Sequence, residues 1–260
     1  MDLKQKAAII TGAGTGVGRA TALRLSRAGC AVLVNYNSSR EAAEEVASLA
    51  AENGVQAAAF QADVANDDAC RALVEEAERL FGRLDILVNN AGTTRFIPHE
   101  DLDSVTDDDW NTILGVNLKG AFQCTRAARA LLSADEGGEV MMTSSVAGLI
   151  GTGTSIPYCA SKAALNNLTV TLARVLGPKV RVNAVAPGFL DGSWLKDSLG
   201  EQYERVKAVM ASRSPLGRVS TPDDVAEAIV SIIGGSDLVT GHVVPVEAGI
   251  LIGASVAALT

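Results

Sequence analysis

Seven short apolar runs punctuate the chain: Ala7–Ile10, Ala31–Val34, Ala57–Phe60, Ile86–Val88, Val140–Thr143, Val180–Val185 and Val243–Val246. Each has the length of a strand and lacks clear apolar–polar alternation, the pattern of a strand covered on both faces. Longer stretches between them place apolar residues at helical spacing. REAAEEVASLAAENG (40–54) and ACRALVEEAERLFG (69–82) are examples, and each closes on a glycine. Strand and helix in alternation predict an α/β fold: a doubly wound parallel sheet of seven strands with helices on both faces. No Pro- or Ser-rich linker, repeat or low-complexity block interrupts the pattern, so residues 1–260 read as one domain.

Composition narrows the function classes. Hydrophobic residues make up 48%, enough for a sizeable core. Acidic residues number 30 against 22 basic, and the resulting net charge of −8 argues against a nucleic-acid-binding face. Cys30, Cys70, Cys124 and Cys159 are scattered without a CxxC, so they read as reduced thiols of a cytoplasmic protein. The N-terminal apolar stretch is too short for a signal peptide. No apolar run reaches the roughly 18 residues of a membrane span. With His99 and His242 as the only histidines, metal sites and Ser-His-Asp triads have little material, and no GxSxG occurs.

The first apolar run leads into Thr11-Gly12-Ala13-Gly14-Thr15-Gly16-Val17-Gly18, and RATALRLSRAG then reads as a helix. Glycines here permit a tight turn and close backbone approach, and the helix N-terminus offers free N–H groups to a pyrophosphate. A plain βα turn also uses glycine for packing. The full TGxxxGxG spacing, set between first strand and first helix, favours a dinucleotide cradle built on Gly12, Thr15, Gly16 and Val17.

TGAGTGVG (11–18), Asp63-Val64, NNAG (89–92), VNLKG (116–120), TSSVAG (143–148), YCASK (158–162), VRVNAVAPG (180–188), PLGR (215–218) and TGHVVPVEAG (240–249) follow one another along the chain. In this order they resemble the short-chain dehydrogenase/reductase family over essentially the whole length, with 3-oxoacyl-[acyl-carrier-protein] reductases and glucose dehydrogenase-like members among the similar proteins. The resemblance implies a Rossmann-type sheet, a nicotinamide cofactor and assembly as a homotetramer or dimer. It implies that Asp63 holds the adenine amino group beside Val64. It further implies that Asn90, Ala91, Gly92, Pro187, Gly188 and Leu190 line the cofactor path.

The second strand ends in Asn35-Tyr36-Asn37-Ser38-Ser39-Arg40, with no acidic residue before Glu41. A carboxylate here takes the ribose hydroxyls of NAD and would repel a 2′-phosphate. Asn, Ser and Arg side chains instead offer hydrogen bonds to that phosphate, although Ser38 or Ser39 also suits a helix cap. NADP(H) is therefore favoured over NAD(H), which stays possible. Thr15 tempers this reading, because many NADP-using relatives have a basic residue there.

Two tyrosines have a lysine at i+4: Tyr158 with Lys162 and Tyr203 with Lys207. On a helix both pairs share a face, and a nearby ammonium lowers a phenol's pKa. Thirteen residues before Tyr158 stands Ser145, whereas Leu190 stands thirteen before Tyr203. Small residues surround Tyr158, and charges surround Tyr203, whose Lys207 reads as a solvated helix-face residue. The resemblance then assigns Tyr158 as general acid/base, Lys162 as its pKa-lowering and ribose-binding partner, and Ser145 as the residue that orients the carbonyl. It also implies that Asn117 holds a water between Lys162 and solvent.

After VNAVAPG the threonine of many relatives is replaced by Gly192, beside Ser193. Residues 189–214 read as a substrate lid, or as a surface helix. The expected substrate lining is Thr93, Thr94, Arg95, Phe96, Ala147, Gly148, Leu149, Ile150 and Trp194. It leaves a 3-oxoacyl thioester and a sugar or polyol both open as the ketone or alcohol substrate. Arg95, Arg126 and Arg129 are candidates for a carrier-protein patch. A noncatalytic NADP-binding sensor or scaffold is the rival class, disfavoured by the intact Asn-Ser-Tyr-Lys set. ILIGASVAALT at the C-terminus is expected to pack in a subunit interface, and Cys159 to be packing next to Tyr158.

Overall fold

The computed structural model describes residues 1–253. Seven strands form one parallel sheet: β1 (Ala7–Ile10), β2 (Ala31–Tyr36), β3 (Ala57–Gln61), β4 (Ile86–Asn89), β5 (Gly138–Thr143), β6 (Val180–Pro187) and β7 (Val243–Val246). Their spatial order is β3-β2-β1-β4-β5-β6-β7. The connecting helices are α1 (Gly16–Arg27), α2 (Arg40–Ala51), α3 (Asp67–Phe81), α4 (Asp107–Leu114), α5 (Ala121–Leu132), α6 (Ala147–Ile150), α7 (Ile156–Leu176), α8 (Ser193–Leu199), α9 (Tyr203–Arg213) and α10 (Pro222–Gly234).

Alternate strand residues face opposite sides of a sheet. Ala8, Ile10, Val32, Val34, Ile86 and Val88 pack with α1, α2 and α10. Ile9, Leu33, Leu87, Val140, Met142 and Val182 pack with α3, α5 and α7. Both sets must be apolar, so the strands read as unbroken apolar runs. Burying each such branched side chain contributes about 1.5–3 kcal/mol.

Several strands outrun their apolar signal. β2 continues through Asn35 and Tyr36, paired with Phe60 and Gln61 of β3. β5 starts at Gly138 and buries Glu139 against Arg181 at 2.5 Å. Polar residues end a pattern without ending a strand when their hydrogen bonds are met inside.

Asn66 caps α3, accepting from Ala69 N at 3.0 Å. Ser155 caps α7 by accepting from Tyr158 N, which sets Tyr158 in the first turn. Residues 107–132 form one rod whose middle, Gly115–Gly120, winds as a π-helix. Such wide turns gather at functional sites, and this one carries Asn117. Of the C-terminal tail expected in an interface, Ile250–Ile252 form a 3₁₀ turn, and residues 254–260 lie outside the described residues. Among the described residues no helix is long and apolar enough to cross a membrane.

Candidate active site

The strand order reverses direction between β1 and β4, and ligands of open α/β sheets bind beyond such a point. Here a cavity of about 1160 Å³ opens over the C-terminal strand ends. Gly12, Thr15, Gly16, Val17, Tyr36, Asn37, Ser38, Ser39, Asp63 and Val64 stand on its wall, as do Asn90, Ala91, Gly92, Pro187, Gly188 and Leu190. Ser145, Tyr158 and Lys162 face the same space.

The glycine turn is shaped by close approach. Gly12 sits at φ +60°, and a methyl there would lie 2.9 Å from Ala91 Cα. A methyl on Gly18 would lie 2.5 Å from Asn90 Nδ2. That amide donates to Thr11 O at 2.9 Å and Gly12 O at 3.0 Å, while Thr11 Oγ1 accepts from Asn90 N and Ala91 N. Thr15 occupies the N-cap of α1 without a side-chain cap bond, so the first helical N–H groups stay open to an anion. Ser39 likewise takes the N-cap place of α2 without capping, and its Oγ would lie 3.1 Å from a methyl on Gly14. These features fit a dinucleotide's pyrophosphate: the glycines leave the backbone bare, the first N–H groups of α1 have no side-chain cap, and Ser39 does not cap α2.

Asn35 departs from expectation. It reaches the cavity wall but is 1% exposed, and it accepts from Gly12 N at 3.2 Å. Its amide donates to Ala62 O at 3.0 Å, with longer bonds to Tyr36 O and Phe60 O. It is therefore a brace for the turn, and its donors are not free for a phosphate. Asn37, Ser38 and Ser39 remain on the rim. Arg40 lies over the Tyr36 ring at 5.8 Å and bonds Glu44, outside the cavity wall.

At the other end Tyr158 is 7% exposed and Lys162 4%. Lys162 Nζ donates to Thr143 O at 2.8 Å and lies 5.6 Å from the Tyr158 ring centre. Burial pushes the Tyr158 phenol up to about 12, and the Ser145 hydroxyl acts against that shift by hydrogen bonding. Burial pulls Lys162 down to about 8. The phenol is thus raised, not lowered as expected from its lysine, because desolvation disfavours the charged form of both groups.

Ser144 and Ser145 part company. Ser144 Oγ donates to Asn166 Oδ1 at 2.5 Å, and Asn166 in turn reaches Gly148 O, tying α7 to α6. Ser145 stays beside the phenol, accepting from Ala147 N at 3.1 Å. Asn117 stands behind the wall. Its side chain grips Thr93 N at 2.7 Å and Thr93 O at 2.9 Å, and donates to Ser161 Oγ at 3.0 Å. A methyl on Gly92 would come within 3.5 Å of Asn117 Oδ1 and 3.7 Å of Lys162 Nζ, so all three meet at one point.

The substrate half is only partly as expected. Thr93, Ala147, Ile150 and Trp194 line it. Thr94 is turned to Thr154 at 2.6 Å, Arg95 to Asp109 at 2.9 Å, and Leu149 to solvent. Gly148 packs on the α7 backbone, where a methyl would lie 2.5 Å from Lys162 C. Phe96 meets Trp194 edge-on at 6.4 Å, and Trp194 meets Tyr158 edge-on at 6.2 Å. Thr143 lines it without having been expected, and Leu199, Val206 and Met210 come to it from the segment 189–214 expected as a lid. Val206 and Met210 stand at i and i+4 of α9, a spacing that marks one helix face. Of the arginines expected near the mouth, Arg126 pairs with Asp67 and stacks on Phe122. Lys207, expected in solvent, donates to Asp191 at 2.5 Å, and the buried Tyr203 hydroxyl donates to the same carboxylate. Cys159 is buried, with Sγ 3.9 Å from His99 Nε2.

The model of a family described as Enoyl-(Acyl carrier protein) reductase matches residues 12–251. A protein assigned as ketoacyl reductase 2 of the granaticin polyketide synthase in Streptomyces violaceoruber is 39% identical, over 93% of this chain and 94% of its own. The 3-oxoacyl-[acyl-carrier-protein] reductase FabG of Staphylococcus aureus is 36% identical, over 94% of this chain and 97% of its own. The crystal structure of NAD⁺-bound xylitol dehydrogenase superposes with a TM-score of 0.87 at 30% identity, covering 96% of this chain and all of that one. Sequence, sheet order and site geometry agree, and the chain belongs to the short-chain dehydrogenase/reductase family of oxidoreductases.

Proposed function

We propose that the protein is an NADP(H)-dependent reductase of apolar ketones, with 3-oxoacyl thioesters as the substrate class. The observation that carries the substrate reading is the lining opposite Tyr158. Trp194, Leu195, Leu199, Val206 and Met210 come from the lid, and Ile150 from α6. A polyol needs a hydrogen-bond partner for each hydroxyl; among these six side chains only the Trp194 indole N–H could serve, with Ser193 and Asp197 beside them on the same lining. Similarity to ketoacyl reductases supports the same choice. The xylitol dehydrogenase likeness keeps sugar alcohols as the competing arm.

When bound, the dinucleotide supplies the hydride. This chain's residues do the rest. Ser145 orients the carbonyl oxygen, and Tyr158 gives its proton to the oxygen as negative charge develops there. A phenol held near 12 is protonated at neutral pH, and it is still far more acidic than the alcohol it makes. That state suits reduction. Lys162 supplies positive charge beneath the phenol, and Asn117 holds the proton-relay end of the site. The uncommitted Ser38, Ser39 and Asn37, with no carboxylate on that rim, support NADP(H). Family assembly as a tetramer or dimer is part of the same reading.

The test is cofactor consumption with a 3-oxoacyl thioester and with a polyol–ketose pair, each run with NADPH and NADH. Faster turnover of the thioester with NADPH is expected. A polyol preference overturns the substrate reading, a tighter dissociation constant for NADH overturns the cofactor reading, and binding without any turnover would restore the sensor alternative.

A further inference from the structure

The second tyrosine–lysine pair has no part in the proton chemistry, yet it is built with care. Tyr203 is 3% exposed, and its hydroxyl donates to Asp191 Oδ1. Lys207, one turn along α9, donates to Asp191 Oδ2 at 2.5 Å. Both oxygens of one carboxylate are thus taken by one helix face. Burial first, and the hydrogen bond to Asp191 second, push the Tyr203 phenol up to about 12, so it stays a donor. The Phe189 ring packs on Tyr203 at 5.9 Å.

Asp191 itself is anchored. Its backbone N–H donates to Ser220 O at 2.8 Å, and Leu190 forms a parallel bridge with Ser220. It stands three residues before Trp194, where the chain leaves the sheet and turns into α8. Trp194 then lies edge-on to Tyr158. The chain between clasp and tryptophan includes Gly192, so it has little stiffness of its own.

We infer that Asp191, Tyr203 and Lys207 form a clasp that fastens α9 to the base of the lid and so positions Trp194 over Tyr158. They are positioning residues: none is expected to touch the reacting atoms. The clasp sets the apolar wall against which the substrate chain lies, and in that respect it rests on the substrate reading above.

Tyr203→Phe removes the hydroxyl and keeps the ring on Phe189, and Asp191→Asn removes the charge. In a Trp110→Phe background Trp194 is the sole tryptophan, and acrylamide quenching of its emission reads lid position without any substrate. With the clasp acting as inferred, both variants raise the quenching constant about twofold or more. Charge-assisted bonds being the strong ones, KM for a long-chain ketone should rise about tenfold, with kcat changed less and the NADPH dissociation constant unchanged. Lys207→Arg, which keeps the cation, should restore the parent values. Unchanged quenching in both variants overturns the clasp. Raised quenching with an unchanged KM overturns its part in the reaction. A failure of thioester turnover in the parent strikes the substrate reading alone, since the quenching arm stands apart from it.

Discussion

The chain builds the same motif twice, a tyrosine one helical turn before a lysine, and gives the copies different surroundings. Among the described residues no carboxylate pairs with Tyr158 or Lys162 where they face the cavity; the lysine's partner is a backbone oxygen, Thr143 O. Tyr203 and Lys207 converge on Asp191. Both phenols are driven up to about 12, but for different reasons: desolvation at Tyr158, and desolvation joined by an adjacent anion at Tyr203. A phenol next to a fixed anion is locked as a donor. A phenol opposed only by desolvation can change its protonation state when charge develops on a neighbour. The spacing is common to both, and the nearest carboxylate decides the role.

The largest expected effect breaks the first copy. Tyr158→Phe should lower kcat by about a thousandfold, the range of a lost general acid, while NADPH titration shows unchanged binding. Next, Lys162→Met should cost about a hundredfold in kcat and also move a pH profile, since a positioned charge beside the reacting group is worth that much. Alcohol oxidation needs the unprotonated phenol, so its rate rises with pH; without the ammonium the phenolate is less favoured, and that rise must shift to higher pH. Ser145→Ala should reduce kcat by about ten- to a hundredfold, as for one lost polarising donor. Ser144→Ala should leave kcat alone and cost about 1 kcal/mol of stability in urea melts. Smallest is a slope. Lys162 titrates near 8 when folded against an ordinary 10.5, so the unfolded chain binds more protons between those values. Stability of the cofactor-free protein should therefore rise with pH across that window, and the rise should be absent in Lys162→Met.

Much of this was legible in the sequence because the signals were local. The seven strands and their order of helices follow from apolar runs, and the cradle from glycines whose spacing is dictated by close backbone approach. Spacing sets Ser145 apart from Ser144, and their hydrogen bonds differ too: Ser144 is bound to Asn166. For Asn35 the residue type announces what it can donate to, not whether neighbouring backbone carbonyls have already taken the donors. The Asp191 clasp escaped because its partners are 12 and 16 residues apart, across a turn with no periodic signal. The lowering of Tyr158 by Lys162 was expected from a one-dimensional distance, whereas burial of both groups is a property of the packed cavity.

Asn35 carries a last consequence. It braces the glycine turn from below, while residues 37–39 face outward at the rim. If the rim reads the nucleotide as proposed, recognition of its outer edge and support of its inner one fall to neighbouring but separate side chains. Coenzyme preference could then drift through mutations at the rim without touching the brace, and a lineage could exchange one redox currency for another while its architecture stays in place.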